Sequence, residues 1–200
     1  MTIDPMIDPM IDPMIDPMID PMIDPAIDLA LRASLALLFA AAASHKARDP
    51  RRFRATVAEY RLLPGALVTP AAAVLLASEI GVAAALVAPG SRATGLFGAA
   101  ALLALYGGAI AINLARGRRD LDCGCAGPAV RRLISGWLVA RNALLAMVAL
   151  LGLAPAVARP LVWVDALTIL GSTATLAALY AAFDRMLANL PALARVRGVA

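Results

Sequence analysis

Five long apolar runs dominate the chain, and the short segments between them hold most of its charge. The runs do not alternate apolar and polar positions, and alanine and leucine dominate them, which favours helices over strands. Each has about the 17–25 residues that a helix needs to cross a membrane, where only helices or closed barrels satisfy the backbone. We predict an all-α, polytopic integral membrane protein over residues 26–187, with a cytoplasmic tail at 188–200. Its five transmembrane helices would cover residues 27–45, 66–88, 94–115, 133–154 and 161–183.

The first 25 residues do not share this pattern. Ile-Asp-Pro occurs six times at a period of four residues, from Ile3 to Pro25, and a methionine separates successive copies. Proline at every fourth position removes helix donors and disfavours helix at the residue before it. The tract is therefore predicted to be a disordered repeat, residues 1–25, outside the folded domain.

Composition supports a membrane protein. Hydrophobic residues make up 62% of the chain and charged residues 16%, and the mean hydropathy is +0.80. A soluble domain is nearer to about half apolar and about a quarter charged. The formal net charge is +4, and because the repeat holds six aspartates, residues 26–200 alone carry +10. In so apolar a chain this excess indicates topology within a lipid bilayer, and no nucleic-acid partner is expected.

Basic residues alternate from one connection to the next. The first and third connections and the C-terminal tail hold several arginines each, whereas the second and fourth hold one each, Arg92 and Arg159. Because cytoplasmic loops carry the excess of arginine and lysine, we predict a multi-pass cell-membrane protein with its N-terminus outside and its C-terminus cytoplasmic.

The first connection also predicts an amphipathic helix at the cytoplasmic interface. Phe53, Val57 and Tyr60 fall on one helical face between arginines, which is typical of a helix that lies along the membrane surface. His45, next to Lys46 at the end of the first run, is interpreted as an interfacial cation rather than a ligand.

Several polar residues lie inside the apolar runs. Glu79 is near the middle of the second run, Arg141 and Asn142 are in the fourth, and Arg32 and Asp165 are just inside the outer ends of the first and fifth. A charge at such depth is costly unless it is paired or hydrated. Depth predicts two ion pairs, Glu79 with Arg141 and Arg32 with Asp165. These residues would either form a polar pocket for a quinone, a substrate or a proton, or only fix the register of the helices.

The two cysteines form the sharpest local motif. Cys123 and Cys125 are separated by one glycine, directly after the third apolar run. The spacing suits a reversible dithiol–disulfide pair, because glycine permits the tight backbone and a bridge across one residue is easily reduced. Nearby arginines, Arg118 among them, favour a thiolate, whereas Asp120 and Asp122 oppose it. We interpret Cys123 and Cys125 as a redox pair supported by Arg118 and Asp122.

Three other interpretations of the cysteine motif stay open. Two thiolates are too few for a closed zinc site, so a metal would need ligands from a second chain, and no metal centre is predicted for this chain alone. A membrane-adjacent thiol could also carry a palmitoyl group. Finally, the motif could be a turn that merely tolerates small residues.

The motif and several other positions resemble the methylamine-utilisation protein MauE family, within the broader MauE/DoxX-like redox-associated membrane proteins. The resemblance covers most of residues 29–155. Its most specific part is the Asp-Cys-Gly-Cys-x-Gly stretch from Asp122 to Gly127, with Arg116-Gly117-Arg118 beside it; Ala126 stands where the family commonly has phenylalanine. Supporting positions are Arg32, Ser44–His45–Lys46, the stretch from Phe53 through Tyr60 to Pro64, Glu79, Asn113–Leu114–Ala115 and Arg141–Asn142.

The resemblance implies a DoxX-like helical bundle and an accessory role in maturing methylamine dehydrogenase, whose small subunit is rich in disulfides. We therefore expect assistance to the thiol–disulfide chemistry of a thioredoxin-like or methylamine dehydrogenase-related partner. No definite cofactor follows, and a quinone is one candidate. The alternatives are a non-enzymatic membrane partner or chaperone with structural cysteines, and a small carrier that uses Glu79 and Arg141.

One conflict follows from the resemblance. The client disulfides of that system form outside the cytoplasm, whereas the alternation of basic residues places Cys123 and Cys125 on the cytoplasmic side. We keep the orientation that the alternation predicts, because it rests on several connections besides this one.

Overall fold

Helices are the only regular secondary structure in the described part of the chain, which also contains two isolated bridges and the connecting loops. A computed structural model describes residues 23–123 and 133–196, with side chains beyond residue 182 described only at Met186. Within these residues the two bridges, Ile23 with Ala156 and Asp122 with Leu133, are the only β pairings. The all-α prediction is confirmed. The helices are α1 Pro25–Arg48, α2 Pro50–Glu59, α3 Gly65–Val87, α4 Arg92–Ala115, α5 Gly136–Leu151 and α6 Trp163–Val196.

Four helices are long and apolar enough to cross a membrane, judged by length and composition. They are α1, α3, α4 and residues 163–182 of α6. The fifth apolar helix, α5, has 16 residues and so spans only ~24 Å at ~1.5 Å per residue. The polytopic helical architecture is confirmed, and the predicted count of five full spans is not exact. The predicted run at 133–154 is longer than α5 because its first residues form an extended segment and its last residues form turns.

Asp-Pro dipeptides start both α1 and α2. The side chain of Asp24 accepts a hydrogen bond from the amide of Ala26 at 2.8 Å, and Asp49 accepts one from the amide of Arg52 at 3.0 Å. Proline follows each cap at the first helical position, where it loses no hydrogen bond and its φ suits a helix. The first described helix therefore begins inside the last copy of the repeat. The prediction of disorder for residues 1–22 lies outside the described residues.

The core is formed where α1, α3, α4 and α5 meet. Phe39 of α1, Leu86 of α3, Leu96 and Leu103 of α4 and Ala149 of α5 are buried together. Helix α6 packs mainly on α1 and leaves most of its surface outside the bundle. Outward faces carry large apolar side chains, as lipid contact requires, among them Phe97, Leu105, Leu144, Trp163, Leu167 and Leu170.

The α3–α4 contact gives a direct test of this packing. A methyl group added at Gly95 would lie 2.8 Å from the amide nitrogen of Leu86, a backbone atom that cannot move aside without shifting α3. We expect Gly95→Ala to lower the free energy of unfolding in detergent by about 1–3 kcal/mol, as overpacking does. Gly108→Ala on the same helix is the matched control, because nothing lies within 4 Å of its added methyl. Equal thermal stability of the two variants would contradict the packing of α3 on α4.

Candidate functional site

A buried ion pair lies inside the bundle. Lys46 donates hydrogen bonds to the Glu79 carboxylate and, at 3.1 Å, to the Tyr106 hydroxyl, which itself donates to Glu79 Oε1 at 2.7 Å. Lys46 is 4% exposed and Glu79 is fully buried. The ammonium nitrogen also lies 4.9 Å from the ring centroid of Phe53 and 4.6 Å from that of Tyr106. We call these four residues the Lys46 cage.

Four different helices supply the cage. Lys46 belongs to α1, Phe53 to α2, Glu79 to α3 and Tyr106 to α4. The desolvation of a buried charge pair is offset only by good geometry and additional hydrogen bonds. The tyrosine hydroxyl and the two aromatic faces supply that additional stabilisation for the ammonium group. The cage therefore fixes how the four helices meet.

The predicted ion pair between Glu79 and Arg141 is wrong. Glu79 is held by Lys46 and Tyr106 instead. The guanidinium carbon of Arg141 lies 5.6 Å from the ring centroid of Tyr180 on α6. Its neighbour Asn142 is buried and donates to the Leu138 carbonyl of its own helix at 2.7 Å. Similar depth along two helices does not determine which of their faces meet. The alternative of a carrier that uses a Glu79–Arg141 pair is therefore not supported.

The predicted pairing of Arg32 with Asp165 is also wrong. Arg32 donates from Nε to the Leu86 carbonyl at the end of α3, at 2.7 Å, and forms an ion pair of 3.4 Å with Asp28 one turn earlier in α1. Asp165 accepts two hydrogen bonds from Arg159, each of 2.7 Å. Each charge is satisfied by groups nearer to it in the chain or by backbone carbonyls at a helix end.

Arg159 also holds the start of the first helix. It donates two hydrogen bonds of 3.0 Å to Asp24, the cap of α1. The guanidinium lowers the pKa of the Asp24 carboxyl, and Asp165 and Asp24 together raise the pKa of Arg159. Ile23 adds two backbone hydrogen bonds to the α5–α6 connection, of 2.8 and 3.0 Å. The last copy of the repeat is thereby fastened to the segment before α6.

Arg92 closes the same end of the bundle. Its Nε lies 2.7 Å from Asp28, and its terminal nitrogen donates to the carbonyls of Gly152 and Ala154 at 2.6 and 2.8 Å. Cations at a helix C-terminus satisfy unpaired carbonyls and oppose the negative end of the helix dipole. Arg32 binds carbonyls at the C-terminus of α3, and Arg92 binds those at the C-terminus of α5. Asp28 forms ion pairs with both arginines.

Cys123 lies at the opposite end of the bundle, where α2, the end of α4 and the start of α5 meet. It is 8% exposed and packs in an apolar cluster with Tyr60, Ile110, Leu121, Ile134 and Leu138. A hydrogen bond of 3.0 Å from the Ile134 amide to the Leu121 carbonyl joins the segments on either side of the motif. Cys125, the other predicted member of the redox pair, lies outside the described residues.

Asp122 and Arg118, the residues predicted to support the cysteines, each bind one end of α2. Asp122 is buried and forms an ion pair of 3.1 Å with Arg52 of α2. Arg118 donates to the Glu59 and Tyr60 carbonyls, at 2.7 and 3.3 Å, and to the Asn113 side chain at 2.9 Å. Arg118 therefore caps the C-terminus of α2, and Asp122 anchors the motif to the start of that helix.

Lys46, Tyr106 and Arg52 had no role in the candidate site predicted from the sequence. Tyr106 carried a usable signal, because a tyrosine hydroxyl inside an apolar run needs a hydrogen-bond partner. Lys46 was placed at a helix end, but α1 continues to Arg48 and keeps the lysine inside the bundle. Arg52 lies among several arginines in the sequence and had no distinguishing signal.

Four long apolar helices, packed around an apolar core and a buried ion pair, define a polytopic helical membrane protein. The chain belongs to the MauE family: the family model described as methylamine utilisation protein MauE matches residues 24–155.

Curated relatives agree with the family match. The chain is 40% identical to a methylamine utilization protein MauE of Methylophilus methylotrophus over 76% of its own length and 81% of that protein. It is 42% identical to the protein of the same name from Paracoccus versutus, over 80% and 87% of the two chains. For the Methylorubrum extorquens protein of that name, the identity is 43% over 62% and 70%. No solved structure matches the chain.

The Lys46 cage predicts strong coupling between its two charges. Lys46→Met and Glu79→Gln should each cost about 3–5 kcal/mol of stability, because removing one partner strands the other charge in a desolvated site. The double variant should cost clearly less than the sum. The measurement is a double-mutant cycle on the unfolding of purified protein in detergent.

The control cycle combines Glu79→Gln with Arg141→Leu. We expect additive effects there, within about 0.5 kcal/mol, as for residues that share no contact. If the Lys46→Met and Glu79→Gln effects were additive and the Glu79→Gln and Arg141→Leu effects were coupled, the partner of Glu79 would be Arg141 and not Lys46.

Proposed function

We propose that this protein is a membrane accessory of methylamine utilisation, and that its Cys123–Cys125 motif exchanges thiols and disulfides with a partner protein. The names of its relatives support the metabolic context. The observation that carries the thiol chemistry is the anchoring of Cys123. It is buried in an apolar cluster at one end of the bundle, and both the Arg52–Asp122 ion pair and the backbone bridge to Leu133 hold the residue before it.

In the proposed reaction the partner protein brings a disulfide or a dithiol. A thiolate of the reduced motif attacks one sulfur of the partner's disulfide and forms a mixed disulfide, and the partner's other sulfur leaves as a thiolate. The second cysteine of the motif then attacks the mixed bond and releases the partner with two thiols. Two electrons pass to the partner, and the motif, now a disulfide, has lost two protons.

The burial of Cys123 suggests a division of roles. A thiol packed among apolar side chains is poorly placed to attack another protein first, because the reactive thiolate is disfavoured there and a second chain cannot reach it. We assign the first attack to Cys125 and the closing, intramolecular attack to Cys123. In the opposite direction, a partner dithiol would reduce the motif through the same mixed disulfide.

The orientation of the motif decides which partners can reach it. The end of the bundle that holds Cys123 also carries exposed arginines, namely Arg48, Arg51, Arg54, Arg61 and Arg116. By the distribution of basic residues this end is proposed to be cytoplasmic. A partner of the thioredoxin-like class on that side would then exchange with the motif directly, and a methylamine dehydrogenase-related client outside would be served indirectly.

The redox proposal predicts a reversible two-thiol difference. Purified protein should bind two equivalents of a thiol-alkylating reagent after reduction and none after mild oxidation, as measured by intact-mass spectrometry. Cys123→Ser and Cys125→Ser should each leave one thiol that no mild oxidant removes within the monomer. Two alkylated thiols under every oxidising condition would contradict the redox role and favour a structural motif.

The proposed orientation predicts protection from outside reagents. In intact cells treated with a permeant reductant, a membrane-impermeant maleimide should not label Cys123 or Cys125, and opening the membrane should allow labelling of the motif. A variant that carries a cysteine in the α5–α6 connection, at the opposite end of the bundle, should be labelled in intact cells. Labelling of the native motif from outside would reverse the orientation and place the motif on the client's side.

A further inference from the structure

We infer that Arg52 is a positioning residue that keeps the Cys123 thiol buried, acting through its ion pair with Asp122. The inference deepens the proposed function, on which its consequence for thiol exchange rests. Arg52 contacts the motif through Asp122. It acts on the residue immediately before the cysteine, and so determines how far the thiol can move.

Arg52 stands on a firmly held helix. Its amide donates to the Asp49 cap at 3.0 Å, and its carbonyl accepts a hydrogen bond of 3.2 Å from Thr56. Phe53, the next residue, is buried beneath the ammonium group of the Lys46 cage. At the other end of α2, Arg118 binds the last carbonyls. The guanidinium of Arg52 therefore extends from a platform fixed on three sides.

The motif depends on this platform for its attachment to α2. Asp122 carries the ion pair of 3.1 Å, and its side chain is only 12% exposed. On its other side the segment is joined to Leu133 and Ile134 through the backbone bridge. If the ion pair is lost, Asp122 loses its described attachment to α2 and keeps the backbone bridge to Leu133. Local opening then becomes easier, and Cys123, the next residue, is exposed more often.

The neighbouring Arg51 provides a control that distinguishes loss of the Arg52–Asp122 contact from a general effect of charge. Arg51 has the same charge one residue earlier, and its side chain is exposed. Removing either arginine changes the net charge of α2 by the same amount. Only removal of Arg52 breaks the described contact with Asp122.

The test is the alkylation rate of Cys123 in the full-length protein carrying Cys125→Ser, followed by peptide mass spectrometry with a small neutral alkylating reagent. Arg52→Gln and Asp122→Asn should each speed alkylation about five- to tenfold, the effect of losing a partly screened anchor on local opening. Arg51→Gln should stay within about twofold, as expected for an exposed residue without that contact.

A purely electrostatic effect on the thiol makes different predictions. Loss of a positive charge would slow alkylation in Arg52→Gln and Arg51→Gln alike, and loss of a negative charge would speed it in Asp122→Asn. Either slower alkylation of Arg52→Gln or equal rates for the two arginine variants would overturn the inference.

The double variant Arg52→Asp with Asp122→Arg restores the attraction between the two positions. Its alkylation rate at Cys123 should return toward that of the Cys125→Ser protein. Each single charge reversal should leave the rate high. Continued fast alkylation of the double variant, with parental thermal stability, would also overturn the inference. The measurement needs no disulfide. If the native protein forms no disulfide, the proposed thiol exchange is contradicted. The role of Arg52 in keeping Cys123 buried is still decided by the alkylation rates.

Discussion

The contact between Lys46 and Glu79 is the interaction on which the arrangement of the helices depends. Neither charge could remain inside an apolar bundle alone, and their pairing brings α1 against α3. Tyr106 of α4 and Phe53 of α2 complete the surroundings of the ammonium group. A hydrophobic surface alone would not select one helix register in lipid, because lipid tails are as apolar as leucine. A matched charge inside the bundle does select one.

The two ends of the bundle use arginine in the same way. At one end Arg32 and Arg92 bind carbonyls at the ends of α3 and α5, and Asp28 neutralises both. At the other end Arg118 binds the last carbonyls of α2, and Arg52 holds the cysteine motif. Backbone carbonyls at helix ends lack partners within the helix, so long guanidinium side chains can satisfy them across a helix boundary. Helix α2 consequently connects the Lys46 cage to the surroundings of Cys123.

Much of the fold could be predicted from the sequence, because length and hydropathy alone define the long spans, and the face of Phe53 and Tyr60 indicated α2. The pairing of charges could not be predicted. Depth along a helix is readable from position, whereas the direction in which Glu79 points depends on packing that only the folded bundle defines. The last repeat copy shows a similar limit. Asp24–Pro25 belongs to an Ile-Asp-Pro copy like those before it, and no local signal indicates that its carboxylate binds Arg159, far away in the chain.

The central claim, that Lys46 and Glu79 meet inside the bundle, can be measured directly because Lys46 is the chain's one lysine and Glu79 one of two glutamates. Protein labelled with ¹⁵N-lysine and ¹³C-glutamate, reconstituted in bilayers, allows solid-state NMR to detect dipolar dephasing between the ammonium nitrogen and a carboxylate carbon. We predict strong dephasing that Glu79→Gln abolishes and Glu59→Gln leaves intact. Absent dephasing in the native protein, or dephasing that survives Glu79→Gln, would contradict the account.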